Sequence, residues 1–205
     1  MRMLFWLAII GVFSIARQLP VNAAELDQVI RDIEGKWQGE IVRDPDSSDH
    51  PVIEIRFHCT SHVPDAVIEQ LVAFPQLRKL GLVGGQSLTN EGLKHIGTLT
   101  SLEALELRNR KISAEGLSHL AKHSKLKSLF LWDLPLNKEN GAALEGLQSL
   151  EKLELRTVMV SIEALESLKK LPRLKEIKGF RCGGALASED EVRRILPNVK
   201  VRLSN

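Results

Sequence analysis

The chain has 205 residues, enough for one domain with a real core. Its formal net charge is only +2, which gives no electrostatic case for nucleic acid or an anionic membrane as partner. Aromatic residues make up 4% and tyrosine is absent, so the core must be aliphatic and mostly leucine.

Arg2 followed by the apolar run 4–13 reads as a secretory signal peptide over residues 1–24. The run is short for a bilayer span. Val21-Asn22-Ala23-Ala24 offers cleavage after Ala23 or Ala24, and Ser14-Ile15-Ala16 offers a second site. An uncleaved anchor is the alternative, and only then would the chain meet a membrane. No cysteine follows the run, against a lipid anchor. Removing residues 1–24 removes Arg2 and Arg17 and no acid, which leaves a formal charge of zero. The expected location is secreted or periplasmic, in the cell envelope.

Residues 25–51 read as an N-terminal cap. Leu26, Val29, Ile30 and Ile33 form one apolar face of a helix over 25–34, which Gly35 would end. Residues 36–43, with Trp37, Ile41 and Val42, alternate as a strand or hairpin arm, and 44–48 (DPDSS) is a turn.

A repeat begins at Val52. Leu102, Leu105 and Leu107 stand at stations one, four and six, and Leu126, Leu129 and Leu131 repeat them 24 residues later. Val52, Leu77, Leu150, Leu174 and Val199 open the other units, at intervals of 24 or 25 residues. Gly179 occupies the sixth station of the unit opened by Leu174. The second half of each unit is also periodic: Leu88, Leu93 and Ile96 recur as Ile112, Leu117 and Leu120, then as Val160, Leu165 and Leu168. Gly92 and Gly116 match, and Glu91 and Glu115 put an acid near each helix start, where the dipole favours it. Each unit is therefore strand, turn, short helix, turn. A solenoid of such units needs caps at its ends.

The period lies inside the range of leucine-rich repeats. The stretches LRNRKISAEGLSHL (107–120) and LTNEGLKHI (88–96) resemble secreted bacterial leucine-rich-repeat proteins, whose units run L-x-x-L-x-L and then I-T-D-x-G-L-x-x-L. More distantly the units are similar to ribonuclease-inhibitor-like and F-box repeats. The resemblance covers about residues 52–203. It implies a right-handed α/β solenoid, a horseshoe with a parallel concave sheet and convex helices. About six units fill 52–198, and 199–205 form a C-terminal capping strand. Two departures stand out. The ninth station, usually asparagine, holds Arg110, Leu134 and Val158, and Gly141 stands where Leu117 puts an apolar side chain.

Side chains alternate faces along a strand, so stations three, five and seven point to the concave side. The fifth-station ladder is Arg56, Gly81, Glu106, Phe130, Glu154 and Lys178, and the seventh is His58, Val83, Arg108, Trp132, Arg156 and Phe180. Phe130 and Trp132 are expected to face solvent at mid-sheet. Arg108 and Arg156 would lie against the indole, with Glu106 and Glu154 beside Phe130. Aromatics ringed by arginine mark a binding hot spot, which makes Phe130, Trp132, Arg108, Arg156, Glu106, Glu154 and Phe180 the candidate site.

Cys59 and Cys182 follow the first and sixth strands, roughly 24 Å apart at the strand spacing, so no intrachain disulfide is expected. His58-Cys59-x-x-His62 has zinc-type ligands but too few. His95, His119 and His123 with Glu91 and Glu115 could assemble on the convex side, but His123 stands at a leucine station (Leu99, Leu147, Leu171), which points to packing. Asp44, Asp46 and Asp49 lack the glycine and glutamate of a calcium loop. Gly84-Gly85 and Gly183-Gly184 lack a phosphate loop's Lys-Ser/Thr and read as turns. No metal and no cofactor is expected. No G-x-S-x-G or carboxylate pair appears, and repeat and cap leave no room for a catalytic domain. The function expected is noncatalytic protein or peptide recognition by a monomer, through the concave face. The alternatives are an inhibitor or substrate adaptor, and a carbohydrate or cell-wall binder with a sugar stacked on Trp132.

Overall fold

The computed structural model describes residues 23–58, 62–83 and 87–204. Residues 1–22, on which the expected signal peptide falls, and residues 59–61, 84–86 and 205, among them Cys59 and Gly84-Gly85, lie outside the described residues.

Seven strands are set by the repeat: β2 (Val52–Phe57), β3 (Lys79–Leu82), β4 (Ala104–Arg108), β5 (Ser128–Trp132), β6 (Lys152–Arg156), β8 (Glu176–Phe180) and β10 (Lys200–Ser204). They pair in parallel, in the order of the chain, with equal stations opposite one another from β2 to β8. In β10 Val201 lies opposite Ile177, so the last unit counts from Asn198, one residue before the expected Val199. Ahead of them β1 (Gly39–Arg43) pairs antiparallel with β2 through a hairpin and forms the first edge of the eight-stranded sheet. Two short strands, β7 (Met159–Val160) and β9 (Gly183–Gly184), pair in a second small parallel sheet. The Gly183-Gly184 pair is therefore strand, where a turn was expected.

The helices α2 (Asp65–Gln70), α3 (Asn90–Ile96), α4 (Ala114–Ser118), α5 (Lys138–Leu144), α6 (Ile162–Leu168) and α7 (Glu189–Ile195) return the chain between strands. The architecture is a right-handed α/β leucine-rich-repeat solenoid, with the parallel sheet concave and the helices convex. Stations one, four and six of successive strands fill its core: Leu102, Leu105, Leu107, Leu126, Leu129 and Leu131 are all at most 1% exposed. At Gly179 the sixth station is filled from elsewhere. Leu203 and Cys182 pack there, and a Cβ on Gly179 would lie 2.7 Å from Leu203 Cδ2.

The N-terminal segment departs from expectation in two places. Helix α1 (Ala23–Arg31) runs into a π-helical turn, Asp32–Lys36, so Gly35 lies within the turn and does not end the helix. The turn closes on the hydrogen bond from Trp37 N to Asp32 O, 3.0 Å, and lets Ile33 bury almost completely. Strand β1 starts only at Gly39, because Gln38 takes φ +50° and breaks the extended run.

Caps recur with the repeat. Thr89, Ser113, Asn137 and Ser161 precede α3 to α6 at intervals of 24 residues. Asn137 Oδ1 accepts from Asn140 N at 2.9 Å, and Ser161 Oγ from Ala164 N at 3.1 Å, satisfying orphan donors at the helix start. Ser113 is instead tied to the preceding repeat. Its N donates to Asn90 Oδ1 (3.2 Å), and its Oγ accepts from Asn90 Nδ2 (2.8 Å). Asp65 holds Thr89 N in the same way at 3.0 Å. Glycine at 92 and 116 makes room for these bonds: a Cβ would sit 2.3 Å from Asp65 Oδ1 or 2.4 Å from Asn90 Oδ1.

Gly141 has a steric cause too. A Cβ there would lie 2.6 Å from the Cα of Ala164, the backbone of the next helix. Gly141→Leu, which restores the side chain seen at Leu117 and Leu165, is expected to destabilise by about 1–3 kcal/mol through overpacking. A thermal melt reads this directly; a higher midpoint would show that α5 and α6 separate at little cost.

His123 fills its leucine station and is 1% exposed. Burial pushes the imidazole pKa below its ordinary value, and the nearby Ile96 backbone opposes the shift. Neither ring nitrogen makes a hydrogen bond of good geometry. Because the folded pKa lies below the unfolded one, unfolding takes up a proton. The histidine's contribution is fully present above about pH 6.5 and is lost as pH falls from there through the folded pKa. His123→Leu is expected to stabilise, since an unsatisfied buried polar group costs about 1–3 kcal/mol. It should also flatten the decline in urea midpoint between about pH 7 and pH 5. A variant with the same acid slope as the parent would show that His123 does not set it.

A ladder of charge runs along the second station. Arg78, Glu103, Lys127, Glu151 and Lys175 alternate in sign from repeat to repeat. Lys127 Nζ lies 2.9 Å from Glu103 Oε2, and Lys175 Nζ lies 2.7 Å from Glu151 Oε2. These bonds hold the Glu103 and Glu151 carboxyls below the usual range and the Lys127 ammonium above it.

Candidate functional site

The concave ladders form in the expected register. Glu106 pairs with Phe130 and Phe130 with Glu154 across β4, β5 and β6, while Arg108, Trp132, Arg156 and Phe180 stand opposite one another from β4 to β8. The Arg108 guanidinium lies 3.9 Å from the Trp132 ring centre and that of Arg156 4.6 Å. Arg156 continues to Phe180 at 5.0 Å, and Arg181 reaches the same ring at 5.2 Å. Arginine and aromatic thus alternate across the sheet, each guanidinium drawn to a ring face. Phe130 and Trp132 are 6.4 Å apart with planes tilted by 45°. Both are half-buried, where open exposure to solvent was expected, because the neighbouring arginines and charged side chains cover them.

The carboxylates of the site are engaged. Glu154 pairs with Lys152 and lies 3.9 Å from Lys178, and the bond to Glu154 raises the Lys152 pKa. Glu106 is reached by Arg56 at 3.9 Å. Arg56 can cross to it because Gly81, between them in the ladder, has no side chain.

Asp133, at station eight, was not among the expected site residues. It adopts φ +56°, is only 13% exposed at its side chain, and holds Arg108 Nε at 3.2 Å and Arg110 at 3.7 Å. This fixes the Arg108 guanidinium over the indole. Thr157 and Arg181 occupy the same station with φ +53° and +49°. The repeat opened by Leu102 differs: Asn109 turns inward at station eight, 1% exposed, and its amide donates to Leu88 O. The inward asparagine thus exists, one residue earlier than the usual ninth station. In the next two repeats Leu134 and Val158 fill the interior at station nine.

A hollow of about 460 Å³ opens on the same face. Phe130, Glu154, Arg156, Lys178, Phe180 and Arg202 line it, so its centre lies on the C-terminal side of Trp132. Arg202 and Ser204, on the last strand, were also not among the expected residues.

The histidines stay apart from this face, apart from His58, which pairs with Glu40 at 2.9 Å. Among the described residues no three His, Cys, Asp or Glu side chains gather as a metal would require. Cys182 is a free thiol whose Sγ contacts Leu155 O at 3.4 Å; its expected relation to Cys59 lies outside the described residues. Also among the described residues, no helix is long and apolar enough to cross a membrane.

The 24-residue strand–helix unit and its in-register leucine stations define the protein as a leucine-rich-repeat solenoid. No family model matches the chain, and no curated protein does. Solved leucine-rich-repeat structures do. TLR13, in its complex with ssRNA13, is 21% identical over 66% of this chain and 20% of its own, with a TM-score of 0.47. Drosophila Toll, in the Toll–Spatzle complex, is 18% identical over 71% of this chain and 18% of its own, with a TM-score of 0.47. An internalin from Listeria monocytogenes is 14% identical over 87% of this chain and 62% of its own, with a TM-score of 0.41. The chain therefore spans about a fifth of the length of the TLR13 and Toll chains.

Proposed function

We propose that the protein is a noncatalytic recognition module that binds a protein or peptide on its concave face, outside the cytoplasm. The observation that carries this is the ladder Arg108, Trp132, Arg156 and Phe180 beside the hollow. Aromatics and arginines are the residues most enriched where binding energy concentrates. Here they hold one another in place before any partner arrives, which lowers the entropic cost of binding. The ladder side chains are arginines and aromatics engaged with each other. Export rests on the leader read in residues 1–24. The secreted, bacterial character of the chain and its monomeric state are part of the same proposal.

Recognition of a polypeptide is favoured over sugar stacking, because guanidinium groups from both neighbouring strands already lie over the Trp132 ring. An inhibitor would be a special case in which the partner is an enzyme. The test is capture of partners from cell-envelope extract on immobilised protein, beside a Phe130→Asp, Trp132→Asp variant shown to be folded. A protein retained by the parent and lost by the variant supports the concave face. Equal retention by both moves the site elsewhere.

A further inference from the structure

Building on that recognition face, we infer that the hollow between Phe130 and Phe180 takes an acidic peptide segment. An Asp or Glu carboxylate would sit on Arg156, with an adjoining apolar side chain against the Phe130 ring. The charge around the hollow is unbalanced. Arg156, Lys178, Arg181 and Arg202 stand at or beside it, facing Glu154 and Glu176. Lys178 is taken up by Glu154 at 3.9 Å and Arg202 by Glu176 at 3.3 Å. Arg156 and Arg181 meet no carboxylate within 4.0 Å among the described residues. Both lie against Phe180.

The posture of Arg156 points the same way. Trp132 at 4.6 Å and Phe180 at 5.0 Å lie against its guanidinium, and the side chain lines the hollow. Rings take up guanidinium faces and leave the N–H edges, which suit bidentate pairing with a carboxylate. A guanidinium already held by rings loses little freedom when it pairs. The hollow, about 460 Å³, has room for several side chains. From β5 to β10 it spans three strand spacings, roughly 14 Å, which about four extended residues would cross.

A single-stranded nucleic acid also pairs cations with stacking, but the geometry is against it. Bases need open ring faces, and arginines cover those of Trp132 and Phe180. Glu154 in the lining would repel phosphate.

The probe is a display library of random peptides about ten residues long, selected on the full chain, with a single-stranded RNA oligonucleotide as a parallel arm. Selected peptides are resynthesised with both ends capped, which removes terminal carboxylates. The expected result is enrichment of Asp or Glu beside Phe, Leu or Ile. Affinity should fall about tenfold or more in Arg156→Gln, and by less in Arg156→Lys, which keeps the charge but not the fork. Circular dichroism checks that each variant folds. Peptides that need Phe130 and Trp132 but carry no acid would overturn the inference and leave the recognition face standing. Peptides indifferent to the Phe130→Asp, Trp132→Asp variant would overturn both. So would an empty selection, whether or not the RNA binds.

Discussion

Leu129→Ala is expected to cost about 2–5 kcal/mol of stability, the range for a leucine deleted from a packed core that can only partly collapse. Leu129 is fully buried and stands between Leu105 and Leu153 in the fourth-station ladder. Each leucine of that ladder packs on the repeat before and the repeat after. In a solenoid the damage stays near the affected interfaces, because each unit contacts only its neighbours. Urea unfolding should therefore show a lower midpoint, and hydrogen exchange should rise first in β4, β5 and β6. Ser128→Ala, one residue away and on the concave face, should stay within about 0.5 kcal/mol of the parent. Equal losses from the two substitutions would mean that the alternation of faces does not govern stability here.

Trp132→Ala should do the opposite: leave the fold and remove the binding. The side chain lies outside the leucine core, half-buried among Arg108, Arg156 and Phe130. Its loss frees two guanidinium groups that now lie against it, so a partner would have to order them again. Partner affinity is expected to fall by about 2 kcal/mol or more, roughly thirtyfold. Titration against a captured partner or selected peptide measures this, and a thermal melt supplies the control. If the variant unfolds instead, Trp132 is a core residue and the concave reading loses its centre.

The period of two within each strand and of 24 between strands determined which side chains face outward together. Phe130 between Glu106 and Glu154, and Trp132 between Arg108 and Arg156, were legible for that reason. Asp133 was not, because station eight follows the strand and has no periodic rule. Asn109, Asp133, Thr157 and Arg181 share the station, yet the first turns inward and the others adopt positive φ. The reach of Arg181 and Arg202 to the hollow's end depends on where the last strand closes, which no local pattern states. The π-helical turn at Asp32–Lys36 was not legible either: the helix pattern through Ile33 is real, and Ile33 is buried close against Gly39 of β1, a contact that no local pattern states. The caps Thr89, Ser113, Asn137 and Ser161 did carry a signal, the same residue class at a strict interval of 24.

The alternating charges at the second station give the solenoid a parity. Excising the single unit 126–149 would seat Glu103 beside Glu151, two carboxylates where each now has a lysine neighbour. Excising the pair of units 102–149 would seat Arg78 beside Glu151 and keep the alternation. Leucine stations and caps are indifferent to that choice, since every internal unit supplies them. The charge ladder makes two repeats, and not one, the unit by which this chain could be shortened without opposing like charges, and the concave stations agree, since the single excision would also seat Glu106 beside Glu154 and Arg108 beside Arg156.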